Sequence, residues 1–293
     1  MTKHELASGR KFRVYGRLMD AATKQKLKDI LPWIKPGTIV DVGPGTGSIL
    51  KAISEKFPSS SFIGVDVSRH FTGLVSRKFR GDPRFRMIGA DIVKRPLARN
   101  SADTMIFSAV LHEIYSYNHY SVRAVAKALR NAYNSLKPGG RLIIRDGTRP
   151  PRRTTLLELS DPLARKMFGK FVKEFKQGAG AVVKEVILNG KSFYRMSLAT
   201  AYEFLSKKDY LENWELEINE EFGYLTLPAY KNILRKIGFK IVSATNYKNP
   251  WIINNRWKGK AALFAGKNGR LKKIEYPDTN LVIAAEKPAK KTA

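Results

Sequence analysis

Short apolar runs alternate along this chain with longer stretches in which apolar residues recur every three or four positions. Ile39, Val40 and Val42 form a β-branched run of the kind a buried strand needs. Ser61–Asp66, Arg86–Asp91, Asp103–Ala109 and Leu142–Asp146 repeat that pattern. The stretches between them read as helices: Ile49–Phe57, Arg69–Phe79 and Tyr120–Leu136. In the last, Val122, Val125, Ala126, Leu129, Tyr133 and Leu136 share one face. Pro58 and the Gly81-Asp82-Pro83 turn close the first two. Strands alternating with helices predict a parallel, doubly wound α/β sheet with right-handed crossovers.

The flanks read differently. In residues 1–35, Phe12, Val14, Leu18, Met19, Ala22 and Leu27 recur at helical spacing and predict an N-terminal helical cap. Trp33 and Pro36 close that segment. Residues 149–226 form an α+β insertion after the fifth strand. A helical stretch over Leu156–Phe175 is expected there, then a hairpin turning at Asn189-Gly190, then a helix from Ser197 through Phe204. Pro228 opens a further helix that Gly238 ends, and Phe239–Ala244 and Asn280–Glu286 are two more strands. A hairpin turning at Asn268-Gly269 is expected between them. The chain thus divides into a cap (1–35), a core (36–148), the insertion (149–226) and a C-terminal part of the core with an added hairpin and basic tail (227–293).

The first strand leads into Asp41-Val-Gly43-Pro-Gly45-Thr-Gly47, and Ser48 begins a helix. Glycines at alternate positions let backbone turn sharply and approach a ligand closely, and the helix start offers free N–H groups. A P-loop would end in Gly-Lys-Ser/Thr, and Gly47-Ser48-Ile49 lacks the lysine. The dinucleotide fingerprint would place its third glycine where Ser48 stands. Asp66 ends the second strand about 20 residues on, where a ribose-binding acid is expected. Asp91 ends the third. Together with Leu136-Lys-Pro-Gly-Gly140 before the fifth strand, these motifs resemble the class I S-adenosylmethionine-dependent methyltransferases, well over residues 35–148. The resemblance implies a Rossmann-like sheet of seven strands, mostly parallel with the last antiparallel. It implies S-adenosylmethionine as cofactor, held by Asp41 near the amino-acid end, Gly43, Gly45 and Gly47 beneath, and Asp66 on the ribose. Val67, Asp91, Ile92 and Ser108 complete the expected cofactor set, with Asp91 on the adenine amino group and Ile92 near the ring. Tyr15 and Arg17 of the cap are weighed as contacts to the methionine carboxylate, with surface packing the alternative.

Methyl transfer from a sulfonium needs alignment, desolvation and, for a hydroxyl acceptor, a base. In this resemblance the acceptor approaches at the end of the fourth strand, where Leu111-His112-Glu113 follows. His112, Asp146 and Glu113 are the candidate catalytic residues, set against loop orientation and helix capping as alternatives. The Asp/Asn-Pro-Pro-aromatic signature of amino-methylating nucleic-acid enzymes is absent. No metal is expected, because nothing in the spacing makes these acids converge on one.

Charge and composition narrow the picture further. Lys and Arg number 54 against 25 Asp and Glu, a formal net charge of +29. The excess is spread along the chain, apart from an acidic stretch over 211–230, and such a field attracts polyanions. The chain has no cysteine, which excludes disulfides, Cys-ligated zinc, iron–sulfur chemistry and a cysteine nucleophile. No apolar run reaches the roughly 18 residues of a membrane span, and Met1–Ala7 lacks an apolar signal core, so a cytoplasmic protein is expected. The expected activity is methylation of oxygen or nitrogen on a small or medium organic acceptor beneath a lid formed by 149–226. RNA or DNA methylation, and a non-catalytic scaffold retaining the fold, are the alternatives. Oligomeric state is not readable from the residues.

Overall fold

The computed structural model describes residues 14, 16, 20–94, 97–177, 180–267 and 270–289. The cap readings at Phe12, Tyr15, Arg17, Leu18 and Met19, the Asn268-Gly269 turn and the last residues of the basic tail lie outside these. The chain forms two compact units. One holds residues up to Asp146, Leu227–Thr245 and Leu281 onward, and the other holds Gly147–Thr226 and Asn246–Asn280.

The first unit includes helix α1 (Thr23–Ile30) and runs on through β1 (Thr38–Val42), α2 (Ser48–Lys56), β2 (Ser61–Asp66), α3 (Arg69–Lys78) and β3 (Phe85–Gly89). It continues with β4 (Ala102–Ser108), α4 (Leu111–Ser116), α5 (Val122–Ser135) and β5 (Leu136–Gly147). After α5, Lys137-Pro-Gly-Gly is already the start of the long β5 rather than a separate turn. The pairs β3–β2, β2–β1, β1–β4 and β4–β5 are all parallel. Local chemistry explains the helix starts: Ser68 accepts from the Phe71 N–H, and Ser121 from that of Ala124. Ile39, Ile106 and Ile143 on the sheet bury against Ile30 of α1 and Ile49, Leu50 and Ile53 of α2.

The second unit contributes β6 (Thr154–Leu159), α6 (Pro162–Glu174), β7 (Lys184–Leu188), β8 (Lys191–Ser197), α7 (Leu198–Lys207) and α8 (Trp214–Glu217). The chain then supplies α9 (Leu227–Ile237) and β9 (Lys240–Tyr247) to the first unit, β10 (Ala261–Lys267) and β11 (Arg270–Ile274) to the second, and β12 (Asn280–Glu286) to the first. The large sheet has the order β3-β2-β1-β4-β5-β12-β9. Reciprocal bonds between Gly139 and Gly140 on one side and Lys287 on the other mark β12 as its antiparallel strand. This is the expected Rossmann-like sheet. Gly238, at φ +114°, ends α9 as read from the sequence, with the Phe239 N–H returning to the Leu234 carbonyl.

The small sheet, β11-β10-β6-β8-β7, is antiparallel throughout. Its hairpin turns at Asn189-Gly190 and its next helix starts at Ser197, as expected. The expected helix over 156–175 is corrected at its front. Leu156, Leu157 and Leu159 lie on β6, paired on both sides by β8 and β10, and the helix begins only at Pro162, capped by Asp161. The division at residue 227 also differs from what is observed over 246–280. Those residues group with the second unit because β10 pairs with β6. Its core gathers Phe168, Phe171, Phe204, Trp214 and Trp257.

Candidate functional site

Parallel strands bring their C-terminal ends to one edge, and the sheet order reverses between β1 and β4, where α/β sheets open a crevice for ligands. The candidate residues stand on that edge. Asp41 is on β1, opposite Gly64 of β2 and Ile106 of β4. The backbone then turns at Gly43, φ +70°, whose N–H donates to the Val65 carbonyl at 2.8 Å. A Cβ on Gly43 would lie 2.7 Å from Cγ2 of Val110, so only glycine fits without a shift. Gly45 and Gly47 are also left-handed, and Gly47 precedes α2 without supplying a capping side chain. The first turn of α2 therefore points uncapped N–H groups along the loop.

Asp41 is 1% exposed, and among the described residues neither of its carboxylate oxygens has a hydrogen-bond partner. Burial pushes its pKa up to about 7, against the partial relief of the Lys26 charge. Asp66 and Asp91 differ from it. Asp66 accepts from the Ser68 N–H at 2.8 Å, and Asp91 from the Val93 N–H at 2.9 Å, so each orients its own loop. Beside them, Val67 is 47% exposed while Ile92 is buried. Ser108 ends β4 with its hydroxyl buried and without a hydrogen-bond partner.

His112 and Asp146 meet. The His112 Nδ1 lies 2.6 Å from Oδ1 of Asp146, and the His112 backbone N–H donates to Oδ2 at 3.1 Å. The second bond has a local cause: α4 starts after Val110, which cannot cap it, so Asp146 at the end of β5 takes that place. The preceding Ala109 is held at φ +57° by its N–H bond to the Arg145 carbonyl, 2.7 Å long. Both partners are buried. A carboxylate on Nδ1 selects the tautomer in which Nε2 carries the lone pair, which is what a general base requires. Glu113 follows in the first turn of α4, half-buried.

One part of this neighbourhood escaped the sequence reading. Asp29 of α1 accepts from Nε of Arg145 at 2.9 Å, with both side chains nearly buried, and Lys26 lies one turn earlier on the same helix at 7% exposure. The available signal was a charged residue four positions before Ile30 on the apolar face.

Residues 40–144 match the profile described as a methyltransferase domain. Over those residues the chain is similar to the class I S-adenosylmethionine-dependent methyltransferase superfamily. A hybrid PKS-NRPS synthetase of Talaromyces variabilis is 35% identical over 130 residues, 41% of this chain and 3% of that protein. A ubiquinone/menaquinone biosynthesis C-methyltransferase, UbiE of Desulfotalea psychrophila, is 28% identical over 116 residues, 40% of this chain and 44% of that protein. The chain thus spans less than half the length of either curated relative. A solved S-adenosylmethionine-dependent methyltransferase from Mesorhizobium loti shares the fold, with a TM-score of 0.54 and 20% identity, covering 91% of this chain and 99% of that one. The cofactor of this methyltransferase superfamily is S-adenosylmethionine.

Proposed function

We propose that the protein transfers a methyl group to oxygen or nitrogen of a small or medium organic acceptor, with His112 as the base and Asp146 holding it. S-adenosylmethionine, when bound, supplies an electrophilic methyl on a sulfonium. Gly43, Gly45 and Gly47 let backbone lie close beneath it, and Asp41 offers its buried carboxylate to the amino-acid end. Asp66 takes the ribose hydroxyls, Asp91 the adenine amino group, and Val67 and Ile92 its faces. Ser108 offers an unpartnered hydroxyl at the end of β4. His112 removes the acceptor proton at Nε2, and the resulting imidazolium is stabilised by Asp146 at Nδ1. Glu113 adds negative charge in the same helical turn.

The 2.6 Å contact between His112 and Asp146 carries this reading, since it joins a base and its orienting carboxylate at the ends of neighbouring elements. Single-turnover assays with labelled cofactor, run against phenolic, hydroxyl and amine acceptors, test it. His112→Ala should slow transfer by about 10²–10⁴-fold, and Asp146→Asn by somewhat less, while S-adenosylhomocysteine affinity changes little. Unchanged transfer in both variants removes the base.

A carbon acceptor is a second reading, because UbiE, the relative named above, is a C-methyltransferase. The same base would then ionise a hydroxyl on the acceptor ring and leave its neighbouring carbon nucleophilic. Carbon-13 NMR of the methylated product separates the two. Nucleic-acid methylation has the net charge of +29 as its support. It requires salt-dependent retention on heparin and methyl incorporation into RNA or DNA.

A further inference from the structure

β3 is the outermost strand of the large sheet. Phe85 and Met87 on it, Val75 of α3, Phe79 just after that helix and Leu50 of α2 wall a cavity of about 460 Å³. All five pack into the core of the first unit, which holds the walls in place. The volume suits a small molecule, and none of the expected cofactor or catalytic residues lines it. Arg80 and Arg86 stand exposed at its rim. Asp82 is there too, but both of its oxygens accept from Arg84, Oδ1 from Nε at 3.0 Å and Oδ2 from Nη2 at 2.7 Å. The two arginines therefore set the sign of the rim. A ligand that matches it has an apolar body and an anionic end. An amine would face two guanidinium groups, and a neutral hydrocarbon would make no use of them.

The same walls close on the glycine loop from behind. A Cβ placed on Gly47 would lie 3.1 Å from Cγ2 of Val75 and 3.3 Å from Cε2 of Phe79. A single layer of side chains thus separates the cavity from the loop. A Cβ placed on Gly64 of β2 would meet Sδ of Met87, with Cγ of Pro44 3.1 Å away. The Lys78 ammonium of α3 donates to the Thr46 carbonyl at 3.0 Å. The helix and strand that wall the cavity are therefore the ones that hold Pro44, Thr46 and Gly47.

We infer that this cavity is an effector site for a small amphipathic anion, an apolar body ending in a carboxylate or sulfonate, whose binding strengthens cofactor binding at the loop. An occupant holds Val75, Phe79 and Met87 in the arrangement that supports the loop, so it and the cofactor favour the same state. The coupling rests on the S-adenosylmethionine reading of the loop; the anion site does not.

Octanoate and octylamine, which share a tail and differ in the charge of its end, test this on the full chain. Octanoate should displace 8-anilinonaphthalene-1-sulfonate from the protein, and octylamine should not. In calorimetry, saturating octanoate should tighten S-adenosylhomocysteine about three- to tenfold, and S-adenosylhomocysteine should tighten octanoate by the same factor. Arg80→Gln combined with Arg86→Gln, both at exposed positions, should weaken octanoate about tenfold and remove the coupling. Without octanoate, that variant should bind S-adenosylhomocysteine within about twofold of the parent. Ser76→Trp keeps both arginines but puts an indole at the exposed rim of the cavity, and it too should block octanoate. Octanoate binding that survives both variants is attraction to the net charge of +29 and overturns the site. Binding that the variants abolish, with no change in S-adenosylhomocysteine affinity in the parent, overturns the effector role. A parent that binds octanoate as expected but not S-adenosylhomocysteine overturns the cofactor reading, and the effector role with it, while the anion site stands.

Discussion

Two buried carboxylates, one in each unit, show how differently this chain treats charge. Asp41 in the first unit has no hydrogen-bond partner for either oxygen among the described residues. Glu203 in the second unit is equally deep, but every demand is met. Its carboxylate pairs with the fully buried Lys207 one turn along α7 and accepts from the backbone N–H groups of Phe222 at 3.1 Å and Gly223 at 2.6 Å. The Lys207 ammonium also lies 4.1 Å from the centroid of the Phe222 ring. Asp209 and Arg256 repeat the pattern, with Arg256 donating to Asp209 and to the Ser206 carbonyl. A satisfied buried charge fixes a loop. An unsatisfied one, at the sheet edge where α/β folds open a crevice, costs stability, and the proposed cofactor contact accounts for it.

The largest test of that contrast removes each carboxylate. Glu203→Ala strands the buried Lys207 and two N–H donors, and should cost about 3–5 kcal/mol by denaturant unfolding. Asp41→Asn removes a buried charge that no hydrogen bond satisfies and that the Lys26 charge relieves only in part. It should be no less stable than the parent at pH 8, while S-adenosylhomocysteine affinity falls. If Asp41→Asn is as damaging to the ligand-free fold as Glu203→Ala, the contrast is wrong and Asp41 is structural.

The pH dependence sharpens the same point. The pKa of Asp41 is raised in the folded chain, to about 7 from an ordinary 3.8. The folded state thus holds its proton over a range where the unfolded chain has lost it. Its contribution to stability is intact below pH 4 and is lost as pH rises towards 7, a swing on the order of 4 kcal/mol at most. Denaturant titrations of ligand-free protein from pH 4 to 8 should show a downward slope over that range that Asp41→Asn removes. An identical slope in the variant assigns the loss to other groups.

The two units also differed in how far the residues alone revealed them. The first was readable to its topology. Its strands are short β-branched runs separated by capped helices, and Asp41, Asp66 and Asp91 come in step with them, so pattern and chemistry point to one fold. The second was readable only where local rules decide, at Asn189-Gly190 and at the Ser197 cap. Ser160-Asp161-Pro162 marks the start of α6, but the leucines of Thr154–Leu159 before it also suit a helix, and their partners β8 and β10 make that run a strand. The pairing of His112 with Asp146 joins residues 34 apart, which spacing cannot place. Lys26 was passed over because a single lysine among basic residues looks solvated until its burial is seen.

The smallest test compares two glycines with nearly the same backbone, Gly43 at φ +70° and Gly190 at φ +71°. Around Gly190, in the exposed hairpin turn of the second unit, a new Cβ would meet nothing within 4 Å. Gly190→Ala should therefore cost only the left-handed strain, about 1 kcal/mol, and leave cofactor affinity alone. Gly43→Ala carries the same strain plus the approach of Cβ to Val110, 2.7 Å from Cγ2. It should cost about 1 kcal/mol more, and the added part should shrink when Val110→Ala is combined with it, because the clash partner is then gone. The strain part should persist in that double variant, since shortening Val110 does not change the φ that Gly43 adopts. If the two single glycine variants lose the same stability, Val110 yields to the new methyl. The close packing under the loop then adds nothing to the demand for glycine at position 43 beyond the turn itself.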